Sequence, residues 1–124
     1  MKIYKGRRLI PENGTVSPTE ILVCTLDEEG KEIKSERLRH HVYHSPTGMN
    51  WGYGGSGPAD LARSILWDVL GEEPEMVVYQ NFKHQFVAGW GATWEWTEKL
   101  VLEWLEDFSP FYKSKAESII ARYR

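Results

Sequence analysis

The sequence predicts a single α+β domain in which an antiparallel sheet of about four to five strands packs against two to three helices. Its 124 residues are enough for one domain with one core. Hydrophobic residues make up 41% and charged residues 27%, which is the balance of a soluble globular chain. Strand-forming residues come first and apolar residues at helical spacing follow, so strands and helices are expected to be segregated along the chain.

The first half carries the strand signals, because β-branched and aromatic residues fall there between clusters of turn-forming residues. A short strand is predicted at residues 3–5. A longer one is predicted at residues 20–26, which the turn at residues 27–30 ends. We interpret the highly charged residues 34–41 as a further strand.

A hairpin is predicted next, formed by residues 42–44 and 49–53. The turn between them has Pro46 at its second position and Gly48 at its fourth, as a type I turn prefers.

The first helix is the clearest element of the second half. It begins at Pro58, with Gly57 or Ser56 as its cap, and ends at Gly71. Its apolar stripe consists of Leu61, Ala62, Ile65, Leu66 and Val69. Alternating residues then predict a bent strand or a strand pair over residues 76–79 and 82–90.

Two more helices complete the prediction. Thr93 or Thr97 caps one, and Ser109 followed by Pro110 opens the other. The inward face of the second helix is Leu100, Val101, Trp104, Leu105 and Phe108. The stripe of the third is Tyr112, Ala116, Ile119, Ile120 and Tyr123. We therefore expect an α+β domain over residues 1–108 and an amphipathic basic helix over residues 109–124, packed on the domain or extending from it.

The segment WGYGGSGP at residues 51–58 has the most unusual composition, with four glycines directly before the first helix. Glycine at this density indicates positive φ or a close backbone approach. One interpretation is a sharp turn into the helix. The other is a cradle for an anion, built from backbone amides at a helix N terminus. The candidate ligand-binding residues are His44, Gly54, Gly55, Ser56, Gly57 and Asp60.

Known phosphate-binding motifs fit this segment poorly. The glycines spell G-x-G-x-x-G, but Met49, Asn50 and Trp51 before them are not the aliphatic strand of a dinucleotide fold. About twenty residues further on, Val77 and Val78 stand where an acid is required. A P-loop is excluded because no Lys-Ser or Lys-Thr follows the last glycine.

No catalytic residue, metal site or cofactor is predicted. Asp60 with His44 is the one pair that suits acid–base chemistry, although Asp60 is more simply a first-turn carboxylate favoured by the helix dipole. His40 and His44 share a face of a predicted strand, but no second pair of ligands accompanies them at metal-binding spacing.

Six tryptophans are more than a core of this size ordinarily holds. Trp67 falls off the apolar face of its helix, and Trp94 and Trp96 flank a predicted turn. Aromatic side chains that a small core does not absorb are typical interface anchors. We therefore predict a protein interface or a homodimer contact involving Trp67, Trp94 or Trp96. The alternative is that these rings fill gaps between helices and sheet.

The charge is unevenly distributed. The net charge is −3, yet residues 59–112 carry ten acidic and three basic side chains, a balance of −7, and the last twelve residues are basic. This balance argues against nucleic-acid binding. It is typical of solvated helix faces or of an acidic surface that docks on a basic protein.

The compartment is expected to be the cytoplasm. No apolar run reaches the ~20 residues that a bilayer crossing needs, and the N terminus lacks the apolar stretch of a signal peptide. The single Cys24 permits no internal disulfide, and it is predicted to be a core residue of its strand.

The motif HSPTG at residues 44–48, followed by WGYGGSGPADLA at residues 51–62, resembles a family of small, functionally uncharacterised domains of bacteria and their phages. The resemblance covers residues 1–106. It implies a compact single domain, often on mobile or viral genomes, and no reaction, cofactor or catalytic residue. We expect a non-enzymatic protein-binding or adaptor protein of this origin. The alternative is a binding or hydrolytic module for a small anionic ligand such as a phosphate or nucleotide.

Overall fold

The computed structural model describes residues 1–9 and 19–123. One antiparallel sheet has the strand order β3-β2-β1-β4. The strands are β1 (Lys2–Arg8), β2 (Thr19–Leu26), β3 (Glu32–Arg37) and β4 (Thr93–Thr97). The helices are α1 (Ser56–Leu70), α2 (Met76–Gln85), α3 (Glu98–Phe108) and α4 (Pro110–Ala121), with a short 3-10 turn at Val87–Gly89. The α+β class is thus confirmed, with four strands and four helices in the described ranges.

The helices cover one face of the sheet. Residues alternate between the two faces, and the register places Tyr4 between Val23 of β2 and Trp96 of β4. Tyr4 is fully buried, and its hydroxyl donates to Asp68 Oδ2 of α1 at 2.6 Å. β3 is exposed along its whole length. The core therefore lies between β1, β2 and β4 and the helices.

The ends of α1 follow from its sequence. Gly55 occupies the N-cap position, one residue before Ser56 and two before Gly57, the two expected caps. At the other end Gly71 has a left-handed φ of 73°, and its N–H donates to the Trp67 carbonyl at 2.8 Å. Such a glycine ends a helix because it alone adopts this conformation without strain. The predicted apolar stripe of α1 is buried.

The predicted hairpin over residues 42–53 is wrong, because this segment is irregular. Its central turn does form, with the Gly48 N–H 3.4 Å from the Ser45 carbonyl. The N–H groups of Tyr43, His44 and Ser45, however, donate to the carboxylate of Asp60. These donors are therefore not available for pairing with a second strand.

The predicted strand pair over residues 76–90 is also wrong, since residues 76–85 form α2. The buried side chains of this helix recur at helical spacing. They are Val78, Tyr79, Phe82 and Lys83. The consecutive valines and the alternating aromatic residues resemble a strand pattern, but the segment forms a helix because a helix buries this one face.

β4 is a strand that the sequence pattern does not reveal. Trp94 and Trp96 lie within this strand rather than on either side of a turn. They pair with Gly6 and Tyr4 of β1, and both side chains are on the face of the sheet that the helices cover. Thr97 ends the strand and caps α3, with its hydroxyl accepting from the Leu100 N–H at 3.1 Å. Leu100 itself, predicted to face inward, is 43% exposed.

The C-terminal helix α4 lies against the domain. Tyr112, Ala116 and Ile119 are buried, and the Tyr112 hydroxyl accepts from the Glu75 N–H at 3.2 Å. Lys115 Nζ lies 2.9 Å from Glu72 Oε1. Across the ranges that the structure describes, no helix has both the length and the apolar character needed to cross a membrane.

Candidate functional site

Asp60 in α1 organises the loop at residues 40–45. Its carboxylate is fully buried, with 0% exposure. The oxygens accept from His40 Nε2 at 2.8 Å, and from the N–H groups of His44 and Ser45 at 2.9 Å and of Tyr43 at 3.3 Å. Three of these donors meet Oδ2 and one meets Oδ1, and the carboxylate is fully buried, so Asp60 holds the loop on α1 and is closed to a ligand.

The protonation states of this cluster follow from its contacts. Burial by itself raises the pKa of Asp60, but the hydrogen bonds from His40 and the three backbone N–H groups outweigh burial and hold that pKa below its ordinary value. The pKa of His41 is lowered, first by burial and then by the charges of Arg39 and Arg63. Asp60 is therefore ionised at neutral pH and His41 is neutral.

A buried cation lies beside this cluster. Arg63 follows Asp60 by three residues on α1 and is 7% exposed. Its Nε donates to the His41 carbonyl at 3.3 Å, and its guanidinium lies 4.9 Å from the ring of Trp67 and 5.0 Å from that of Tyr43. Arg63 therefore attaches the 40–45 loop to α1 at a second point, through its hydrogen bond to the His41 carbonyl and the contact of its charge with the ring of Tyr43.

His44 joins the loop to α2. Its Nε2 lies 2.7 Å from the Tyr79 hydroxyl, while its backbone N–H donates to Asp60. The sequence therefore brings His44 and Asp60 together correctly, but through the main chain of His44. The side-chain partner of Asp60 is His40, which sequence reasoning considered only as a metal ligand. No group of three or more His, Cys, Asp or Glu side chains converges as metal ligands would within residues 1–9 and 19–123.

Most glycines ahead of α1 have a structural reason. Gly52 has a φ of +84°. A methyl group at Gly55 would lie 2.6 Å from the ring of Tyr53, and one at Gly57 would lie 3.0 Å from Asn50 Cβ and from the Tyr53 hydroxyl. Gly54 differs, because its φ is not left-handed and a methyl group there would meet nothing within 4 Å. The backbone at Gly54 is thus open to approach from outside.

Two cations reach this glycine-rich turn from other elements. Arg8 at the end of β1 donates to the Trp51 carbonyl at 2.7 Å and to Asn50 Oδ1 at 3.2 Å. Lys83 of α2 is 6% exposed, and its Nζ lies 3.5 Å from the Gly54 carbonyl. Sequence reasoning missed Lys83 because it assigned residues 82–90 to a strand. On a helix, Lys83 lies one turn after Tyr79 on the same face, so Tyr79 contacts the 40–45 loop and Lys83 the glycine-rich turn.

The three tryptophans predicted as interface residues differ in environment. Trp94 is only 7% exposed and stacks on Trp90 at 4.1 Å between ring centres. Trp96 packs against Phe86 at 4.9 Å. The indole N–H groups of both are buried without an acceptor among the described residues, so neither presents its polar edge to a partner. Trp67 stacks flat on His41 at 3.8 Å.

A different aromatic surface lies on α3, and we call it the α3 stripe. It consists of Leu100, Trp104 and Phe108, which recur every four residues. Leu100 is exposed, and the rings of Trp104 and Phe108 are half-buried and stack at 4.7 Å. The exposed acids Glu103 and Asp107 are on the same helix beside the stripe.

A wide groove of about 560 Å³ lies on the face of the sheet away from the helices. Its charged side chains pair with one another, since Arg7 Nε lies 2.8 Å from Glu20 Oε1 and Lys5 Nζ 3.8 Å from Glu95 Oε1. The groove therefore offers no uncompensated charge, and the glycine-rich turn and the α3 stripe are the better candidates.

Comparison with known proteins gives a family but no activity. No curated protein and no solved structure matches the chain. The model of a family of unknown function, DUF6166, matches residues 4–107, which include the whole glycine-rich turn, the Asp60 cluster and most of α3. The chain belongs to this family of unknown function, DUF6166.

Proposed function

We propose that the protein is a non-enzymatic binding module that docks a basic protein partner on the α3 stripe. The observation that carries this proposal is the combination of Leu100, Trp104 and Phe108 at the surface of α3 with exposed acids beside them. Partly exposed aromatic rings supply contact area at a low cost in conformational entropy, and they are typical anchors of protein interfaces.

The charges on α3 indicate which kind of partner fits the α3 stripe. Lys99 Nζ lies 3.9 Å from Glu103 Oε1 and partly balances its charge, so Asp107 is the acid beside the stripe that most attracts lysine or arginine and repels a second acidic surface. Two copies of this chain that met through the stripe would bring these acids together, which disfavours a symmetric homodimer at this face. The partner that fits is a protein segment whose apolar residues are flanked by basic ones.

The environments of the other tryptophans support the choice of α3. The ring of Trp67 already has His41 on one face and the Arg63 guanidinium 4.9 Å away. Trp104 donates its indole N–H to Gln85 Oε1 at 3.1 Å, and its ring packs on Phe82 and Phe108. Its partly exposed ring adjoins Leu100 and Phe108 in the α3 stripe, whereas Trp67 belongs to the cluster around His41 and Arg63.

The compartment and origin belong to the same proposal. We place the binding module in the cytoplasm, because the lone Cys24 is buried and unpaired, as suits a reducing compartment. We place its gene on a phage or mobile genome, because its motif resembles that of small domains of bacteria and their phages.

A random peptide library selected on the full chain tests the proposal. Selected peptides are expected to be rich in Lys and Arg next to apolar residues. Their affinity is expected to fall about tenfold or more in Trp104→Ala and less in Asp107→Asn, with weaker salt dependence in the latter. Ile33→Ala is the matched control, because Ile33 is an exposed apolar residue on β3, away from α3.

Three results would overturn the proposal. They are affinity unchanged in both α3 variants, selection of acidic peptides, and loss of affinity in Trp67→Ala alone. Because Trp104 also packs on Phe82, at 5.3 Å between ring centres, its variant is first checked for folding by circular dichroism. Asp107→Asn changes only an exposed group and decides the matter if Trp104→Ala unfolds. A concentration-dependent mass in sedimentation, lost in Trp104→Ala, would show a homodimer in place of the basic partner.

A further inference from the structure

The strand β3 lies at one edge of the sheet, and the side chains along its whole length are exposed. We propose that this edge is the interface of a symmetric dimer, in which β3 pairs antiparallel with β3 of a second copy and joins two four-stranded sheets into one. β3 and the strand that leads into α3 are at opposite ends of the strand order. The dimer therefore does not depend on the basic partner proposed for the α3 stripe.

The backbone of β3 presents hydrogen-bonding groups on the outer side of this edge. The Leu38 N–H, directly after the strand, donates to a carbonyl of β2 at 3.0 Å. Consecutive residues of a strand point their backbone groups to opposite sides, so Lys34 and Glu36 also bond toward β2. Ser35 and Arg37 therefore point away from β2. Among the residues that the structure describes, nothing pairs with these outward N–H and C=O groups, and such an edge is a template for another strand.

The charges of β3 favour one register with a second copy. When Ser35 faces the partner's Ser35 across a twofold axis, the two residues exchange a pair of backbone hydrogen bonds. Lys34 then lies directly opposite the partner's Glu36, and Glu36 lies opposite the partner's Lys34. Opposite charges at such positions of an antiparallel pair stabilise it. The sequence of β3 is thus complementary to itself in this register.

The neighbouring registers are unfavourable. A shift by two residues puts Lys34 opposite the partner's Lys34 in one direction, and Glu36 opposite the partner's Glu36 in the other. Like charges directly across from each other destabilise a strand pair. A shift by one residue sets Ser35 against a residue whose backbone groups already bond to β2. The register centred on Ser35 is therefore the one that a second copy adopts.

The charged side chains of β3 are exposed where the second copy meets them. Lys34 Nζ lies 3.4 Å from Glu36 Oε1, and the two side chains are 63% and 59% exposed. Two copies bring these pairs together as four charges of alternating sign. Charged residues on an edge strand ordinarily discourage pairing with other chains. Here their alternation rejects strands of another charge pattern and accepts a second copy of this chain.

The geometry also limits the size of the assembly. A twofold axis uses the β3 edge of both copies, so pairing through β3 ends at two chains. Two short strands bury less area than the interface of a permanent dimer. We therefore expect monomer and dimer to exchange in an equilibrium that depends on concentration.

Sedimentation velocity of the full chain, from about 1 to about 500 µM, tests the dimer. The wild type is expected to pass from monomer to dimer within this range. Glu36→Lys and Lys34→Glu each set like charges across the axis, and each is expected to weaken dimerisation about tenfold or more. The matched controls are Glu117→Lys and Lys113→Glu, which change the net charge equally at exposed positions of α4 and are expected to dimerise as the wild type does.

A mixture of the two β3 variants separates a contact between chains from an effect within one chain. Glu36→Lys has two lysines at these positions and Lys34→Glu has two glutamates, so each variant complements the other. We expect a heterodimer in the mixture at concentrations at which each variant alone is monomeric. The double variant Lys34→Glu/Glu36→Lys restores alternation within one chain and is expected to dimerise as the wild type does. Circular dichroism checks that every variant is folded.

The backbone contact has a test of its own. Ser35→Pro removes the outward N–H at the axis, and proline is tolerated on an edge strand where its nitrogen faces away from the sheet. This variant is expected to weaken the dimer as well. The proposal is overturned if the wild type stays monomeric over the whole range, if the two charge variants dimerise as the wild type does, or if their mixture gives no heterodimer. Loss of the dimer in Trp104→Ala would also overturn it, because the contact would then lie at the α3 stripe.

Discussion

At the scale of single residues, Asp60 joins α1 to a loop whose contacting residues lie fifteen to twenty positions earlier in the sequence. We expect Asp60→Asn to lower the free energy of unfolding by about 3 kcal/mol, because the amide nitrogen cannot accept from the backbone donors and the charge opposite His40 is lost. Urea unfolding measures this change. Asp107→Asn, at an exposed carboxylate, is the control and is expected to stay within about 0.5 kcal/mol. A loss below about 1 kcal/mol for Asp60→Asn would contradict the role given to this carboxylate.

The glycines before α1 permit a second test at this scale. A methyl group at Gly54 meets nothing, whereas one at Gly55 meets the ring of Tyr53 at 2.6 Å. We expect Gly54→Ala to keep the free energy of unfolding within about 0.5 kcal/mol, and Gly55→Ala to lower it by about 1–2 kcal/mol as the ring is displaced. Thermal unfolding of the two variants side by side gives the comparison. Equal stability of both variants would show that the ring moves aside freely.

The sequence identifies part of this site, for reasons that are visible in individual residues. The glycine density and the position of Asp60 in the first turns of a helix are local signals, and both point to the right segment. Lys83 and His40 reach the site only through the tertiary packing of α2 and the 40–45 loop. Arg63 could be identified from the sequence alone, because it is a charged residue at one of the positions of α1 that are buried.

At the scale of elements, a helix or strand is predicted accurately when the interactions that form it lie within its own sequence, and poorly when they involve distant residues. α1 has a proline in its first turn, an apolar stripe and a closing glycine, all within its own sequence, and it is predicted almost to the residue. α2 has no side-chain cap and two consecutive valines, so its identity depends on burying Tyr79 and Phe82 against other elements. β4 exists because β1 pairs with it from ninety residues away, which no local pattern shows.

The pairing of β4 with β1 gives a prediction of its own. Gly6 lies opposite Trp94, and a methyl group at Gly6 would overlap the indole ring. We expect Gly6→Ala to lower the free energy of unfolding by about 2–3 kcal/mol, because the indole ring can make room only by giving up its stacking on Trp90. The double variant with Trp94→Leu is expected to lose less than the sum of the two single variants. Gly91→Ala is the control, as open space surrounds that position. Additive losses in urea unfolding would argue against the contact.

At the scale of the whole molecule, buried ionisable groups make stability depend on pH at both ends. Asp60 has a lowered pKa in the folded protein, so its contribution is present above the ordinary value near 3.9 and is lost as the pH falls through the folded value. His41 also has a lowered pKa, so stability decreases as the pH drops below about 6.5, where the unfolded chain takes up a proton first. We expect unfolding temperatures to fall from pH 7 to pH 4 through His41, and to fall further below pH 4 through Asp60. Asp60→Asn is expected to flatten only the part of the profile below pH 4. A profile unchanged by Asp60→Asn would contradict the assignment.

The alkaline end depends on the contact between the C-terminal segment and the body of the domain. Tyr123 is 45% exposed, and its partial burial, followed by the nearby carboxylate of Glu98, raises its pKa to about 12. Burial and Asp68 likewise raise the pKa of Tyr4. The folded protein therefore keeps these protons where the unfolded chain, with an ordinary pKa near 10, releases them, and stability is lost as the pH rises from 10 through about 12. We expect Tyr123→Phe to reduce this loss in unfolding measured between pH 9 and about 12, while the acid profile stays the same as in the wild type. If the alkaline loss were identical in Tyr123→Phe, the hydroxyl of Tyr123 would not be held against Glu98, and the end of α4 would not be fixed there.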